Sequence, residues 1–444
     1  MFSRFLKFPS IVIFALAPAI LPGAFAQSAA LMQQEGAPPL DLSSLLKEAL
    51  VRNPEIAAAR SLQSAAEAVP SQVQTLPDPV ASVSYTNETF DDFTLGDSPD
   101  SMLTVSWTQD VPYPGKLRLA GDAARREVEM SQWRVGLVRL AVTSRVKETY
   151  ARLYRVDRTI SILADSRKLL TSFLDTARVR YEAGEGLLQN VLKAQTEIAK
   201  LDVELEKLAQ ERISTQAILN TLIGRDRDEP LGPALALPET VLAIQPSALE
   251  KEALDHSPEI LETEAAARRD ESRLELARRQ LKPDLMWGAA YTNRGDLDPM
   301  VMGMFGVRLP LYREHKQAQG IVQATYQLEA SRHNTAAVRL KVSAEVRDLA
   351  AQVNRAEALV RLYREGVIPQ ARNSLESSAD SYGVGRVDFL TLLNDFTTLL
   401  NYEIDYEVQR AERVAALASL ERLTAMTLVP PDGSRFSVEE GPHE

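Results

Sequence analysis

The stretch YEAGEGLLQNVL beginning at Tyr181 returns as YGVGRVDFLTLL beginning at Tyr382, 201 residues on (382 − 181). Both read Tyr-x-x-Gly and run into an apolar, leucine-rich segment. Other markers keep similar spacing: NPEI at Asn53 returns as SPEI at Ser257, LPDPVASVSYT from Leu76 as LKPDLMWGAAYT from Leu281, and VPYPGK from Val111 loosely as LPLYRE from Leu309. Self-similarity at a fixed offset marks a duplicated structural unit, so whatever one half folds into, the other must approach. Each half reads as helix, strand, loop, strand, long helix, Tyr-x-x-Gly turn, helix. The first repeat is placed at 40–227 and the second at 246–427, joined by a proline-rich linker at 228–245. Residues 27–39 form an N-terminal segment and 428–444 a flexible C-terminal tail.

The helices are long. From Lys116 to Glu182 there are 67 residues without proline; unbroken, they reach roughly 100 Å at 1.5 Å per residue. In the second half Val342, Val346, Leu349, Val353, Ala356, Val360, Tyr363 and Val367 step alternately by four and three, which is a coiled-coil seam. Leu153, Val156, Ile160 and Leu163 repeat the steps in the first half. Arg347, Asp348, Arg355, Glu357 and Arg361 fill the faces between, as solvated helix surface. Pro369 is expected to interrupt and kink the second long helix.

Four stretches alternate with period two, at about 80–90, 101–113, 284–293 and 299–311. At about ten residues each they match tilted membrane-crossing strands, although each alone also fits a soluble hairpin. Leu103, Val105, Trp107, Trp287, Tyr291 and Phe305 form the expected lipid face. The joining loops are polar: Glu88, Asp91, Asp92, Asp97 and Asp100 in the first, and Asn293 to Asp298 in the second. Solvated loop acids explain the first set better than a metal site, because no fixed ligand spacing is visible. Four strands cannot close a barrel, and an open edge is intolerable in lipid. If this chain crosses a membrane, copies must pool strands; three would give twelve.

Arg4 and Lys7 precede an apolar run from Ile11 to Leu21, and Ala24-Phe25-Ala26 has the small-x-small form of a signal-peptidase site, so residues 1–26 read as a signal peptide. Removing it leaves 48 basic residues (50 − 2) against 61 acidic ones, a formal charge of −13. Nucleic acid is a poor partner for such a surface. There is no cysteine, hence neither a disulfide framework nor a lipobox for acylation. Beyond the signal no apolar run of about 18 residues offers a helical membrane span.

These residues resemble the TolC-like outer-membrane efflux factors from about Leu40 to Met426. The most specific stretch runs from Val367 to Ala425 and contains SYGVGRVDFLTLLNDF; LPDP at Leu76 and QDVPYPGKLRLAG from Gln109 look most like the heavy-metal branch. The resemblance implies a mainly α protein with a small β part. Three copies would form a twelve-stranded barrel in the outer membrane of a Gram-negative bacterium, continued by a coiled-coil tunnel through the periplasm. It implies a homotrimer working with a periplasmic adaptor and an inner-membrane pump such as an RND-type transporter, passively conducting metal cations, drugs or other small molecules. The exit duct of a type I protein secretion system is an alternative within the family. A periplasmic coiled-coil protein without a pore is one outside it.

The resemblance further makes the Tyr-x-x-Gly segments the tips of two helical hairpins, with Tyr181, Gly184, Gly186, Tyr382, Gly385, Arg386 and Val387 as adaptor-docking candidates. Glycine suits the chain reversal because it accepts backbone angles other residues resist; the two tyrosines fit packing at the hairpin base. Family members often carry inward acids just past the second tip. An ungapped match puts Thr391 and Asn394 there, with Asn190 equivalent after the first tip, while Asp388 and Asp395 lie close by as substitutes. At these three positions the chain departs from that charged aperture. No catalytic, cofactor or metal residues are assigned: His256, His315, His333 and His443 belong to no ligand motif, and GVGR at Gly383 follows a helix instead of a strand.

Overall fold

The structure, a computed structural model, describes residues 39–88, 94–95, 98–234, 237 and 245–429. The signal segment, the loop acids Asp91, Asp92 and Asp97, most of the later linker and the tail from residue 430 lie outside the described residues. The first half runs α1 (Leu42–Arg52), α2 (Pro54–Gln74), β1 (Val80–Thr86), β2 (Met102–Val111), α3 (Lys116–Glu182) and α4 (Leu188–Ile223). The second runs α5 (Pro246–His256), α6 (Pro258–Arg279), β3 (Asp284–Arg294), β4 (Leu297–Arg308), α7 (Gln317–Leu362), a π turn (Tyr363–Val367), α8 (Ile368–Gly383) and α9 (Phe389–Thr424).

Each half opens with two helices where the pattern suggested one, and the NPEI and SPEI repeats mark the break. Pro54 and Pro258 have no N–H to give to a preceding turn and are preset for a first helical position, so a new helix starts at each. Asn53 reinforces the first break: its side chain accepts from Glu55 N at 2.8 Å and Ile56 N at 3.3 Å and donates to the Leu222 carbonyl at 2.9 Å, tying the junction to the end of α4.

The long helix α3 is unbroken over its 67 residues. Its counterpart from Gln317 to Gly383 spans the same 67 (383 − 317 + 1) but is not straight α-helix throughout. Pro369 cannot donate to the Glu365 carbonyl, and the chain answers with the π turn just before it, in which Ile368 N bonds the Tyr363 carbonyl. The interruption expected at Pro369 is thus absorbed as one wide turn. Val342, Val346, Val353, Ala356 and Val360 are buried along the seam, as are Leu153, Val156 and Leu163 in α3, whereas Leu349 and Ile160 are partly buried.

Two apolar clusters hold the helical part together. One joins α1, the middle of α3, the end of α4, α5, α7 and the last turns of α9; the other lines α3, α4, α8 and α9 toward the Tyr-x-x-Gly turns. Two segments expected at the margins join the first cluster. Leu231, at the start of the linker, is buried, and its carbonyl accepts from Arg212. Leu428 and Val429, placed in the tail, are also buried: their amides donate to Glu421 Oε1 at 2.7 and 2.6 Å, while Lys147 Nζ bonds Glu421 Oε2 and the Val429 carbonyl. Hydrophobic burial and a shared carboxylate therefore hold Leu428 and Val429 against the helices.

The four strands form one antiparallel sheet in the order β1-β2-β3-β4. β3 and β4 meet more tightly than the expected Asn293–Asp298 loop. Gly295 takes φ +63°, Asn293 Oδ1 accepts its amide at 2.8 Å, and only Gly295 and Asp296 lie between the strands. At the foot of the sheet, Asp284 accepts from Lys116 Nζ at 2.7 Å and from Tyr113 N at 2.8 Å, joining the β3 end to the start of α3. Strands and helices are thus fixed to each other at one end, and the Tyr-x-x-Gly turns lie at the far end of the helices.

Candidate functional site

The two Tyr-x-x-Gly segments are the same turn built twice. In the first, Glu185 N bonds the Arg180 carbonyl at 2.9 Å and Gly184 N bonds the Tyr181 carbonyl at 3.0 Å; in the second, Arg386 N bonds Ser381 O at 2.9 Å and Gly385 N bonds Tyr382 O at 3.0 Å. This is the Schellman ending of a helix, which needs a left-handed residue just past the C-cap. Gly184 and Gly385 both sit at φ +75°. The Tyr-to-Gly spacing is therefore set by the hydrogen bond from the glycine amide back to the tyrosine carbonyl. Gly186 has a different reason: a Cβ there would lie 3.1 Å from Tyr181 N and 3.2 Å from Arg180 Cβ.

Around this shared backbone the two turns diverge. Tyr382 is buried, its ring 5.4 Å from that of Phe389, as expected of a packing residue; Tyr181 is 44% exposed and is not one. Arg180 lies over the Tyr382 ring at 5.3 Å and donates to the Tyr382 carbonyl at 2.5 Å, so a side chain of the first tip clips the second. The residue equivalent to Arg180 in the second half is Ser381, and that break in the repeat is the sequence signal for the clip. Burial pushes the Tyr382 hydroxyl pKa up. Leu187, Leu188 and Leu192 of the first tip and Val384 and Leu390 of the second are exposed apolar residues. The sequence marked the segment after each turn only as apolar and leucine-rich. Arg386 is exposed and Val387 partly so.

The aperture candidates separate by their bonds. Asp388 caps α9, accepting from Thr391 N at 2.7 Å, and that amide holds its carboxyl below the usual carboxylate range. Asp395 accepts hydroxyl hydrogen bonds from Ser374 and Ser378 on α8. Each is occupied in shaping its own hairpin. Thr391 and Asn394 are exposed one turn apart on α9, and the Asn190 side chain lies beside the Tyr382 hydroxyl. Between α3, α8 and α9 there is also a groove of about 710 Å³, lined by Phe173, Ile368, Phe396 and the ion pair Arg372–Glu403 at 2.7 Å.

At the other end the strand register sorts side chains into two unlike faces. Tyr85 pairs with Leu103, Val83 with Val105, Val105 with Tyr291, and Trp287 with Phe305, so Leu103, Val105, Trp107, Trp287, Tyr291 and Phe305 all share one face. The Trp107 and Trp287 rings meet edge to face at 4.7 Å. The opposite face carries Ser82 bonded to Ser106 at 2.7 Å and Thr104 bonded to Thr292 at 3.0 Å, with Ser84 and Thr108 beside them. Phe305 is 73% exposed and Val301 81%, in a sheet whose β1 and β4 edges have no strand partner among the described residues. Such a surface belongs against lipid or another chain.

The outer membrane efflux protein family matches residues 45–225 and 249–425, one copy of its pattern on each repeat. The chain belongs to the outer membrane efflux protein family. Among curated relatives, the cobalt-zinc-cadmium resistance protein CzcC of Cupriavidus metallidurans is 22% identical over 397 residues, covering 88% of this chain and 91% of that one. The pyoverdine export outer membrane protein OpmQ of Pseudomonas putida is 22% identical, covering 74% and 69%. In fold, the chain is similar to the outer membrane protein VceC of Vibrio cholerae, with a TM-score of 0.74, 18% identity and coverage of 86% and 95%. The mainly helical, four-stranded architecture is thus that of the TolC-like channels, and the protein is an outer-membrane component of tripartite efflux.

Proposed function

We propose that three copies of this efflux protein pool their strands into one twelve-stranded barrel in the outer membrane of a Gram-negative bacterium, after export on the signal segment at 1–26. The observation that carries this is the open sheet, which among the described residues has four strands, two unpaired edges and one apolar face. Unpaired backbone cannot be left in hydrocarbon, so β4 of one copy closes on β1 of the next. The face with Leu103, Val105, Trp107, Trp287, Tyr291 and Phe305 then meets lipid and the Ser/Thr face lines the duct. The helices continue the duct into the periplasm, where the tips of three copies make six docking points for an adaptor, and a pump such as an RND-type transporter supplies the energy. The exposed Tyr181, Leu187, Leu188 and Val384 support docking, since apolar side chains at a water-facing tip gain from being covered. A coiled-coil spacer without a pore leaves the apolar sheet face unexplained. The names of two relatives span metal resistance and pyoverdine export, which fits a duct whose cargo is chosen by its pump.

A photo-crosslinking residue placed at Tyr181, Leu187 or Val387 in cells should capture a periplasmic adaptor, whereas one at the exposed Leu340, far from either tip, should not. Equal capture at all four positions, or none, would refute tip docking.

A further inference from the structure

The inner face of the sheet is not uniformly polar. Met102, Met286, Met300, Met302 and Met304, five of the nine methionines in the chain, fall on the same face as Ser82, Thr104 and Thr292, and the aromatic face has none. Four of the five belong to the β3–β4 hairpin, and three of those stand in the alternating run MVMGM from Met300 to Met304. Met302 is 51% exposed and Met304 37%. A lipid-facing role would put them on the other side of the sheet, and a merely solvated wall would be mostly Ser and Thr, as where Ser82, Ser84, Thr104 and Ser106 meet on β1 and β2.

Their strand partners are small. Met286 pairs with Gly306, Met304 with Gly288, Met302 with Ala290 and Met300 with Thr292. A Cβ at Gly306 would lie 2.9 Å from Met286 Sδ, and one at Gly288 would lie 3.3 Å from Met304 Cε, so each thioether reaches across the ladder over the glycine opposite it. Met286 and Met304 are diagonal neighbours, and along β4 Met304, Met302 and Met300 each stand about 6.7 Å from the next. Thioethers are uncharged, soft ligands that favour Cu(I)-like ions over hard cations, and they have no proton to lose. Among the described residues no group of His, Cys, Asp or Glu could hold a metal ion, so a cation passing this wall meets sulfur instead.

We propose that Met286, Met304, Met302 and Met300, in that order along the hairpin, form a thioether station for a soft monovalent cation, Cu(I) or Ag(I), on the inner wall of the barrel, passing it stepwise and not holding it in one shared ligand set. This rests on reading the Ser/Thr face as the lumen. A station in a duct must hold its ion loosely enough to release it, and a row of equivalent neutral ligands permits stepwise transfer.

The test uses the full-length protein in detergent, labelled with ¹³C-methyl methionine and titrated with silver nitrate, with zinc as the comparison ion. The triple variant Met286→Leu, Met302→Leu, Met304→Leu keeps side-chain volume, and its assembly is checked by migration of the unheated oligomer. Expected is a saturable Ag(I)-induced shift of the three methyl signals that disappear in the triple variant, with no comparable shift by Zn(II). Unmoved signals, equal shifts with Zn(II), or undiminished Ag(I) uptake by the triple variant would overturn the station. Reaction of the single variants Met302→Cys and Phe305→Cys with a charged, membrane-impermeant thiol reagent separates the two ideas, since the chain has no other cysteine. Reaction at 302 and not at 305 without the Ag(I) shift removes the station alone, and reaction at 305 and not at 302 removes the lumen reading and the station with it.

Discussion

Three glycines at the second tip and its counterpart differ in one physical respect, and substituting each with alanine should separate them. Gly184 and Gly385 are left-handed at φ +75°, where an L residue costs about 1–2 kcal/mol. Gly383 is the last residue of α8, and a Cβ there meets nothing within 4 Å, so alanine should gain about 0.5–1 kcal/mol. At Gly184 the new Cβ also finds open space, leaving only the backbone cost; at Gly385 it would lie 2.9 Å from Arg180 Nη2 and displace the side chain that bonds the Tyr382 carbonyl. G385A should therefore exceed G184A by the worth of that bond, at or below the low end of about 1.5–3 kcal/mol for charged donors because the site is partly exposed. Hydrogen exchange of the turn-closing amides of Glu185 and Arg386, measured by mass spectrometry on the assembled protein, reads this directly. One to two kcal/mol is a roughly 5–30-fold loss of protection. The excess of G385A over G184A should vanish when both are made in an R180A background. If G383A is as damaging as G385A, slimness of the tip and not the sign of φ is what glycine supplies, and the reasoning fails.

Removing the clip alone, Arg180→Ala, should leave the oligomer intact but increase leakage of large antibiotics into cells; unchanged sensitivity would show that it does not restrain the tips. Lys147→Met leaves Glu421 buried without its cation, which should cost about 3–5 kcal/mol at pH 7 by thermal denaturation in detergent. Burial already pushes the Glu421 pKa above the usual carboxylate value, so folding favours its protonated form relative to the unfolded chain. That contribution is complete below the unfolded pKa and lost as pH rises through the folded one, so the variant should regain stability on acidification; a melting temperature that falls further would reverse the sign. Trp287→Arg on the aromatic face should cost about 2–4 kcal/mol, less near an interface, and reduce membrane insertion, while Ser84→Arg on the opposite face should be tolerated. Equal insertion defects would mean that the faces are misassigned.

Duplication, helix length, seam and strands were legible because each rests on periodicity, and period is what burial on one face imposes. The six aromatic and apolar residues from Leu103 to Phe305 were assigned to one side from alternation alone, and the register places them together. Ends were less legible. The NPEI break, the two-residue turn at Gly295 and the anchoring of Leu428 and Val429 depend on single caps, one left-handed glycine and one shared carboxylate, none of which has a period. At the tips the pattern showed both glycines but not the clip, since Arg180 has no counterpart in the second half. Nor did it show the local bonds of Asp388 and Asp395, because a charge near a turn serves as a helix cap or an inter-helix acceptor as readily as it faces a channel.

The central claim is that one copy brings too few strands to close a wall in lipid. Counting subunits by native mass spectrometry of protein released from mild detergent tests it most directly. Three copies per particle, falling apart only when the barrel itself denatures, is the expected result; a folded single copy that stays soluble and stable once detergent is removed would contradict it.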